Sequence, residues 1–541
     1  MQVYFVVLQK AWLYTIPETL RGLKQMSASK EKKTRQDLAA ASSSDPKTAR
    51  EAKQRREEKR NNRIYILIAV VFVVVAVVSI TWKSGIVQRK ATAATINGEN
   101  YSSAEVLYYY KTAYQNFISN YSSYLSYFNL DTSKDLKSQT CGLDSDGGTW
   151  YDYFLKQGLT TMSAVHALSD AAAKDDYTWN DDMQKSLDDT LSSVESNAKN
   201  YGYTLEQYLK ASYGSIMTKS VYEAQLKLGI LAQSYSTNYT DGLKYTTDDL
   251  KAAYAKDPNS YDVVDYQSVK IDGAPAAKTD SDGNTVDATD AEKTAAMTAA
   301  EKTANTIYTD FKAGGDLSTL ADKYDTATYT DGKAGTYSDT VLMNWLFSDT
   351  RKAGDYTLLT DKDGSAYYVV KFTSRYRYDY NTVDVRQILI QPETGTKQEG
   401  DDGYDAEQTQ LKAAAKTKAE DLLAQWKAGE ATEDSFATLA TSNSSDTGSA
   451  SNGGLYTQVY QGQMVQSFND WCFDSSRKTG DTGIVESDYG YHIIYFVGED
   501  LPYWQVQVTN TLKSNDYNDW YSGITKDYTA TQHSFGLKFV G

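Results

Sequence analysis

This chain repeats itself, and each copy must bury a core of its own. Residues 261–378 match residues 382–498 in order. VDYQSVKI (264–271) lies against VDVRQILI (383–390), and both alternate in the manner of half-buried strands. ANTIYTDFKAGGDLSTLA (304–321) lies against AEDLLAQWKAGEATEDSFATLA (419–440). Each predicts a helix ended by a glycine, Gly314 or Gly429, followed by a second helical turn. NWLFSDTRKAGD (344–355) lies against DWCFDSSRKTGD (470–481), and SAYYVVKF (365–372) against YGYHIIYF (489–496). Each copy therefore reads as strand–helix–helix–strand. Gly-Asp at 354–355 and 480–481 reads as a turn into a final strand pair, not as a phosphate loop. Cys472 stands where the first copy has Leu346, which predicts a plain apolar core position.

A second feature fixes the expected cell biology. IYILIAVVFVVVAVVSITW (64–82) has no charge, and at helical rise it spans about 28 Å, one hydrocarbon core. Residues 1–63 hold 15 Lys and Arg against 7 Asp and Glu, a net of +8, whereas the remainder is strongly acidic. Positive charge stays on the cytoplasmic side, so residues 1–63 are expected inside as a basic tail and residues 83–541 outside. A cleaved signal peptide is the competing reading, but both the charged preface and the apolar run are long for one. MSASKEKKTRQDLAA reads like a natural N-terminus, so Met26 is expected to be the start.

Three histidines and two cysteines leave little material for a metal site, and no metal or other cofactor is expected. The acidic exterior argues against nucleic acid as a partner. A disulfide between Cys141 and Cys472 stays open for an exported chain, although Cys472 reads as core. Residues 91–245 read as mainly helical. They begin with a short strand, ATING, then a turn, then a helix capped by Ser102 or Ser103. His166 falls on one of these helices and reads as a packing residue. A last helix over 507–527 is expected to return, with 501–541, to this region. The stretches 272–293 and 391–405 read as mobile loops.

The second copy resembles the parvulin (PpiC-type) family of peptidyl-prolyl isomerases. The resemblance rests on VRQILI, a helix ending WKAGE, FATLATSNSSDTGSASNGGL, QGQMVQSFNDWCF and KTGDTGIVESDYGYHII, in that order. The flanks resemble extracytoplasmic foldases of the PrsA and SurA type, with TINGENYSSAEVLYYYKTAY as the strand–turn–helix start. The resemblance implies an α+β architecture. It comprises a single transmembrane helix, a helical chaperone domain completed by the C-terminal helix, and two tandem parvulin-like domains. Each of these would be a four-stranded antiparallel sheet with helices. It further implies that Met464, Phe468 and Leu455 line an apolar slot for proline, and that His492, Ser487 and Asp446 form its polar floor. Family members commonly carry histidine on the first strand; here Gln387 stands in that place, so the usual histidine pair cannot form. The first copy offers Ser338, Leu342 and Tyr368 where the second has Met464, Phe468 and His492, with Ser268 opposite Gln387. It therefore reads as a degenerate domain.

The implied partners are unfolded or newly exported polypeptides. Two functions compete: a membrane-anchored foldase that isomerises X–Pro bonds, and a non-catalytic holdase using parvulin folds as scaffold. An adaptor for wall or secretion machinery is the weakest reading. Hydrolase chemistry finds no GxSxG or paired-carboxylate setting.

Overall fold

The structure, a computed structural model, describes residues 32, 33, 35, 36, 39, 45–279 and 285–541. The expected start at Met26 and most of the basic tail lie outside the described residues. Contacts divide the chain into two compact units, Met1–Ser236 with Gly523–Gly541, and Thr237–Ser522.

The first unit opens with α1 (Pro46–Lys83), capped by Asp45, whose carboxylate accepts from the Lys47 amide. Among the described residues it is the one helix long and apolar enough to cross a membrane. After α2 (Ile86–Lys90) come β1 (Thr92–Ile96) and β2 (Glu99–Ser102). The turn between them, Asn97-Gly98, has φ of 47° and 81°, which suits a tight hairpin. Ser102 caps α3 (Ser103–Asn120) in a reciprocal box with Glu105. Then follow α4 (Trp150–Lys174), α5 (Asp181–Asn200), α6 (Leu205–Tyr213) and α7 (Lys219–Gly242). An aromatic core of Tyr110, Phe117, Trp150 and Phe154 joins α3 to α4. Gly158 allows the close approach, since a Cβ there would lie 2.8 Å from the Tyr110 amide nitrogen. The C-terminal residues Ala530–Gln532 add a third strand beside β1. Cys141 is buried here and unbonded.

The second unit holds α8 (Thr247–Lys256) and then two sheets of identical design. The first copy runs β3 (Val263–Asp272), the small hairpin β4 (Lys278–Thr279) and β5 (Thr285–Val286), α9 (Asp290–Lys312), α10 (Leu317–Ala321), β6 (Ala327–Thr336), α11 (Val341–Leu346), β7 (Tyr356–Asp361) and β8 (Ala366–Tyr376). The second runs β9 (Asn381–Ile390), α12 (Tyr404–Ala428), α13 (Glu433–Asn443), β10 (Leu455–Val459), α14 (Gln466–Cys472), β11 (Thr482–Ser487) and β12 (Gly490–Pro502). Strand orders are β6-β3-β8-β7 and β10-β9-β12-β11, with every pair antiparallel. In each copy the two helices that follow the first strand cover one face, and the third, α11 or α14, packs on the other.

The copies agree in detail. Gly354 and Gly480 take φ of 90° and 91°. Asp355 and Asp481 accept from the amides of Lys352 and Lys478 at 2.9 Å. Arg351 and Arg477 lie over Trp345 and Trp471 at 4.5 and 4.2 Å from the ring centres. Leu346 and Cys472 are both buried in the core beneath the short helix. Cys472 is a free thiol, and burial pushes its pKa up to about 12.

Three boundaries differ from the sequence reading. Both long helices begin about four turns before the segments read as helix, at Asp290 rather than 304 and at Tyr404 rather than 419. Residues 290–293, read as loop, are the first turn of α9, held by a Thr289–Glu292 capping box. Alanine and lysine form these early turns by helix propensity without a broad apolar face. Finally, the closing helix α15 (Tyr503–Thr525) starts at Tyr503 and does not return wholly to residues 91–245: Trp504 and Val508 pack on Leu250 and Tyr261 within the second unit.

One glycine pins a loop to the second sheet. Gly454 has φ of 72°, and a Cβ there would sit 2.1 Å from the Gln387 carbonyl oxygen. Its own carbonyl accepts from the Gln387 amide at 2.8 Å. Gly454→Ala should therefore lower stability by about 2 kcal/mol or more, from left-handed strain plus displacement of the strand. A urea denaturation curve checks this; a midpoint equal to wild type would contradict it.

Candidate functional site

Directly opposed residues of an antiparallel pair share a face. β12 pairs with β9 so that His492 opposes Leu389 and Ile494 opposes Gln387. Gln387 and His492 therefore project from the same face, diagonal neighbours on the two central strands. On that face lie Val383, Val385, Ile494 and Phe496, with Phe468 and Cys472 of α14 packed over them. Phe468 is 1 % exposed, and its ring meets the His492 ring edge-on at 5.5 Å and 81°. Met464 and Tyr456 join the same cluster, partly exposed at its margin.

His492 is 6 % exposed and bonded at both nitrogens. Nδ1 lies 2.8 Å from Gln387 Oε1, and Nε2 lies 2.7 Å from Ser487 Oγ. The Gln387 amide donates to Asp446 Oδ2 at 2.7 Å. The same oxygen accepts from Ser449 at 2.5 Å and from Tyr456 at 2.8 Å, while Oδ1 accepts from the Gly448 amide at 3.1 Å. The four polar residues named from the sequence thus form one connected row: Ser487, His492, Gln387, Asp446. Gln387 fills the gap left by the absent histidine, giving and accepting one bond at once.

Burial acts on both titratable members. It lowers the pKa of His492, against a smaller upward pull from the Asp446 charge, so the ring stays neutral. It would raise Asp446, but the hydrogen bonds from Ser449, Tyr456, Gln387 and Gly448 outweigh it and hold the carboxyl below its usual value.

Leu455 is a correction. It opposes Arg386, so it projects from the other face of the sheet, away from His492 and Phe468. Its neighbour Tyr456 opposes Val385 and occupies the site face instead. Side chains alternate along a strand, so a one-residue error of register moves a side chain to the wrong side. Ser449 and Tyr456 were missed as members of the row. Their signal is SDTGSASNGGLY (445–456), a polar stretch closed by two glycines, Gly453 and Gly454, both at positive φ. In the first copy the same face carries Ser268 opposite Val370, with Tyr368 on the last strand and Leu342 at its edge. No row of this kind links them among the bonds seen there.

Among the described residues no group of three or more His, Cys, Asp or Glu side chains is placed to hold a metal ion.

Residues 367–499 match the family model described as a PPIC-type PPIASE domain. Among curated proteins, the chain is 29 % identical over 172 residues to "Foldase protein PrsA 1" of Listeria innocua, covering 31 % of this chain and 48 % of that one. A Listeria monocytogenes protein of the same name is 28 % identical over an equal span. The chain therefore spans about half the length of the curated relatives it matches. Among solved structures, PrsA from Bacillus subtilis is similar at 15 % identity, covering 72 % of this chain and 93 % of that one, with a TM-score of 0.28. One of the SurA-like chaperone structures of Campylobacter jejuni covers 81 % of this chain and 96 % of that one at 14 % identity, with a TM-score of 0.17. Over about a third of its length the chain is similar to PrsA foldase proteins, and the match to the parvulin-type domain spans the second copy.

A neutral buried histidine makes stability depend on pH. In the unfolded chain His492 titrates near its ordinary value of about 6.5. Its folded pKa is lower, so the unfolded state binds more protons as pH falls, and stability declines from about pH 6.5 downward. His166, buried against Tyr101, is lowered for the same reason and adds to the trend. Urea midpoints measured across this range should fall with pH, and His492→Gln should remove part of the slope. A flat profile would contradict the neutral buried ring.

Proposed function

We propose that this chain is a membrane-anchored extracytoplasmic foldase that binds unfolded exported polypeptides and catalyses cis/trans isomerisation of X–Pro bonds in its second copy. The observation that carries it is the Phe468–His492 contact, with Met464 beside it, set over a fully bonded polar row on one sheet face.

Rotation about an X–Pro bond is opposed by amide resonance, with a barrier of roughly 18–20 kcal/mol, and takes tens to hundreds of seconds unaided. No bond to carbon is made or broken, so the site needs no strong base or nucleophile. It must hold the ring in apolar surroundings and favour the twisted amide over the planar one. An aromatic ring and an adaptable thioether suit an aliphatic ring. Fixed dipoles beneath it act without reorganising. The neutral His492, bonded at both ends, is such a fixed dipole.

The basic flank and apolar run of α1 support the anchor, with the two copies outside. The second reading, a holdase on parvulin scaffolds, is favoured by Gln387 and by the first copy, which has Ser268 and Tyr368 where the second has Gln387 and His492.

Two experiments test the proposal. In an isomerisation assay without a coupling protease, the full chain in detergent should accelerate an X–Pro peptide. Phe468→Ala should lower kcat/KM by about tenfold or more, the equivalent of ~1.4 kcal/mol, while Tyr368→Phe in the first copy leaves it unchanged. No acceleration by wild type, together with intact suppression of client aggregation, would favour the holdase. For topology, protease added to intact cells should release the two copies and leave a membrane-bound fragment containing α1. A soluble secreted form beginning after residue 82 would show a cleaved signal instead.

A further inference from the structure

We infer that the polar row runs in one fixed direction, with its protons pointing from Ser487 towards Asp446, and that Ser449 and Tyr456 are positioning residues that set this direction. The geometry stands by itself; only its catalytic consequence rests on the isomerase reading above.

The carboxylate sets the direction. An ionised carboxylate only accepts hydrogen bonds. Asp446 Oδ2 takes three, from the Ser449 and Tyr456 hydroxyls and from Gln387, and Oδ1 takes the Gly448 amide. Gln387 must therefore turn its NH2 towards Asp446. Its Oε1 then faces His492 Nδ1 at 2.8 Å and can only accept. Nδ1 must carry the proton. The neutral ring has one proton to place, so Nε2 is bare, and the Ser487 hydroxyl at 2.7 Å donates to it. Ser487 Oγ in turn accepts from the Tyr489 amide at 3.1 Å.

A histidine at 387 would gain and lose protons near neutrality, and the direction of the row would change with it. A glutamine amide does neither. The substitution that departs from the family pattern thus converts a titratable pair into a row with one polarity. His492 then has no N–H to offer a bound chain, and the Ser487 proton is committed inward. The partly exposed end of the row presents a hydroxyl oxygen with one free lone pair. The floor under a bound X–Pro segment is an acceptor, suited to a backbone N–H of the peptide and not to its carbonyl.

The Ser449 and Tyr456 hydroxyls are spent on Asp446 and touch no reacting group in this scheme. They act through Asp446, by filling the lone pairs that would otherwise let the carboxylate rotate or take up a proton.

The test reads the ring nitrogens directly. The full chain, with its three histidines labelled with 15N and 13C in the ring, is reconstituted in phosphatidylcholine vesicles and examined by magic-angle-spinning NMR. Carbon–nitrogen correlations distinguish Nδ1 from Nε2, and loss of a signal set in His492→Phe assigns it. The wild type should show Nδ1 protonated and Nε2 bare at neutral pH. Gln387→Leu should abolish the single form and give both tautomers. Tyr456→Phe and Ser449→Ala should each shift population the same way, with Ser449→Thr restoring it. In the same Tyr456→Phe chain kcat/KM should fall about fivefold, the size of one buried hydrogen bond. A wild-type ring protonated at Nε2 overturns the direction. A pure Nδ1–H ring that persists in Gln387→Leu overturns the role of the row in setting it. A correct tautomer in a chain without isomerase activity would leave this inference standing and remove the isomerase reading. The wild-type spectrum decides the first point even if a variant fails to fold.

Discussion

The pairing of β9 with β12 is the constraint on which the site depends. These two strands are distant in sequence, and their register runs from Tyr491 opposite Ile390 to Pro502 opposite Asn381. Shifting it by one residue would turn Gln387 to the face covered by α12 and α13 and leave His492 without its partner. The register is held from both sides. On one face Ile388, Ile390 and Ile493 lock into α12 and α13 through Trp426 and Phe436. On the other Val385, Ile494 and Phe496 lock into α14. The polar row lies at the edge of this second cluster, so its hydrogen bonds form in a place already ordered by apolar packing. Buried polar groups are tolerated when every member is satisfied, and this row is satisfied at each link.

The duplication shows what the scaffold requires and what the site adds. Both copies keep the sheet order, the short helix over one face, the arginine over its tryptophan, and the Gly-Asp turn. Those features maintain the fold. The copies part at the site face, where the first carries serine and tyrosine in place of glutamine and histidine. A fold that is stable with Tyr368 does not need His492 for packing. This comparison within one chain argues that His492 is not there for packing alone.

Much of this was legible in the sequence because its signals are local. Strand alternation, the Ser102 cap and the leucine-for-cysteine match at 346 and 472 follow from spacing alone. Matching the copies also aligned Gln387 with Ser268 and His492 with Tyr368, and strand register gives the same equivalences. The early turns of α9 and α12 were obscured because alanine and lysine show little periodicity. Leu455 was misplaced, and Ser449 and Tyr456 missed, for one reason. The loop carrying Asp446 is folded onto β9 by the Gln387–Gly454 backbone bond and by the Arg386 guanidinium, which donates to the Gly453 carbonyl, and the strand that follows is irregular between Tyr456 and Val459. Such geometry depends on positive φ and on a distant carbonyl, which the residue types hint at but do not specify.

The central claim is that the second copy's distinguishing side chains, and not its shared scaffold, make the isomerase site. It is tested most directly by giving the second copy the first copy's residues in one full-length variant: Met464→Ser, Phe468→Leu and His492→Tyr. The rate of cis/trans exchange of an X–Pro peptide is then measured by NMR exchange spectroscopy beside wild type, with circular dichroism as the check on folding. The account predicts exchange catalysed by wild type and absent in the folded triple variant. Undiminished exchange in that variant would contradict it.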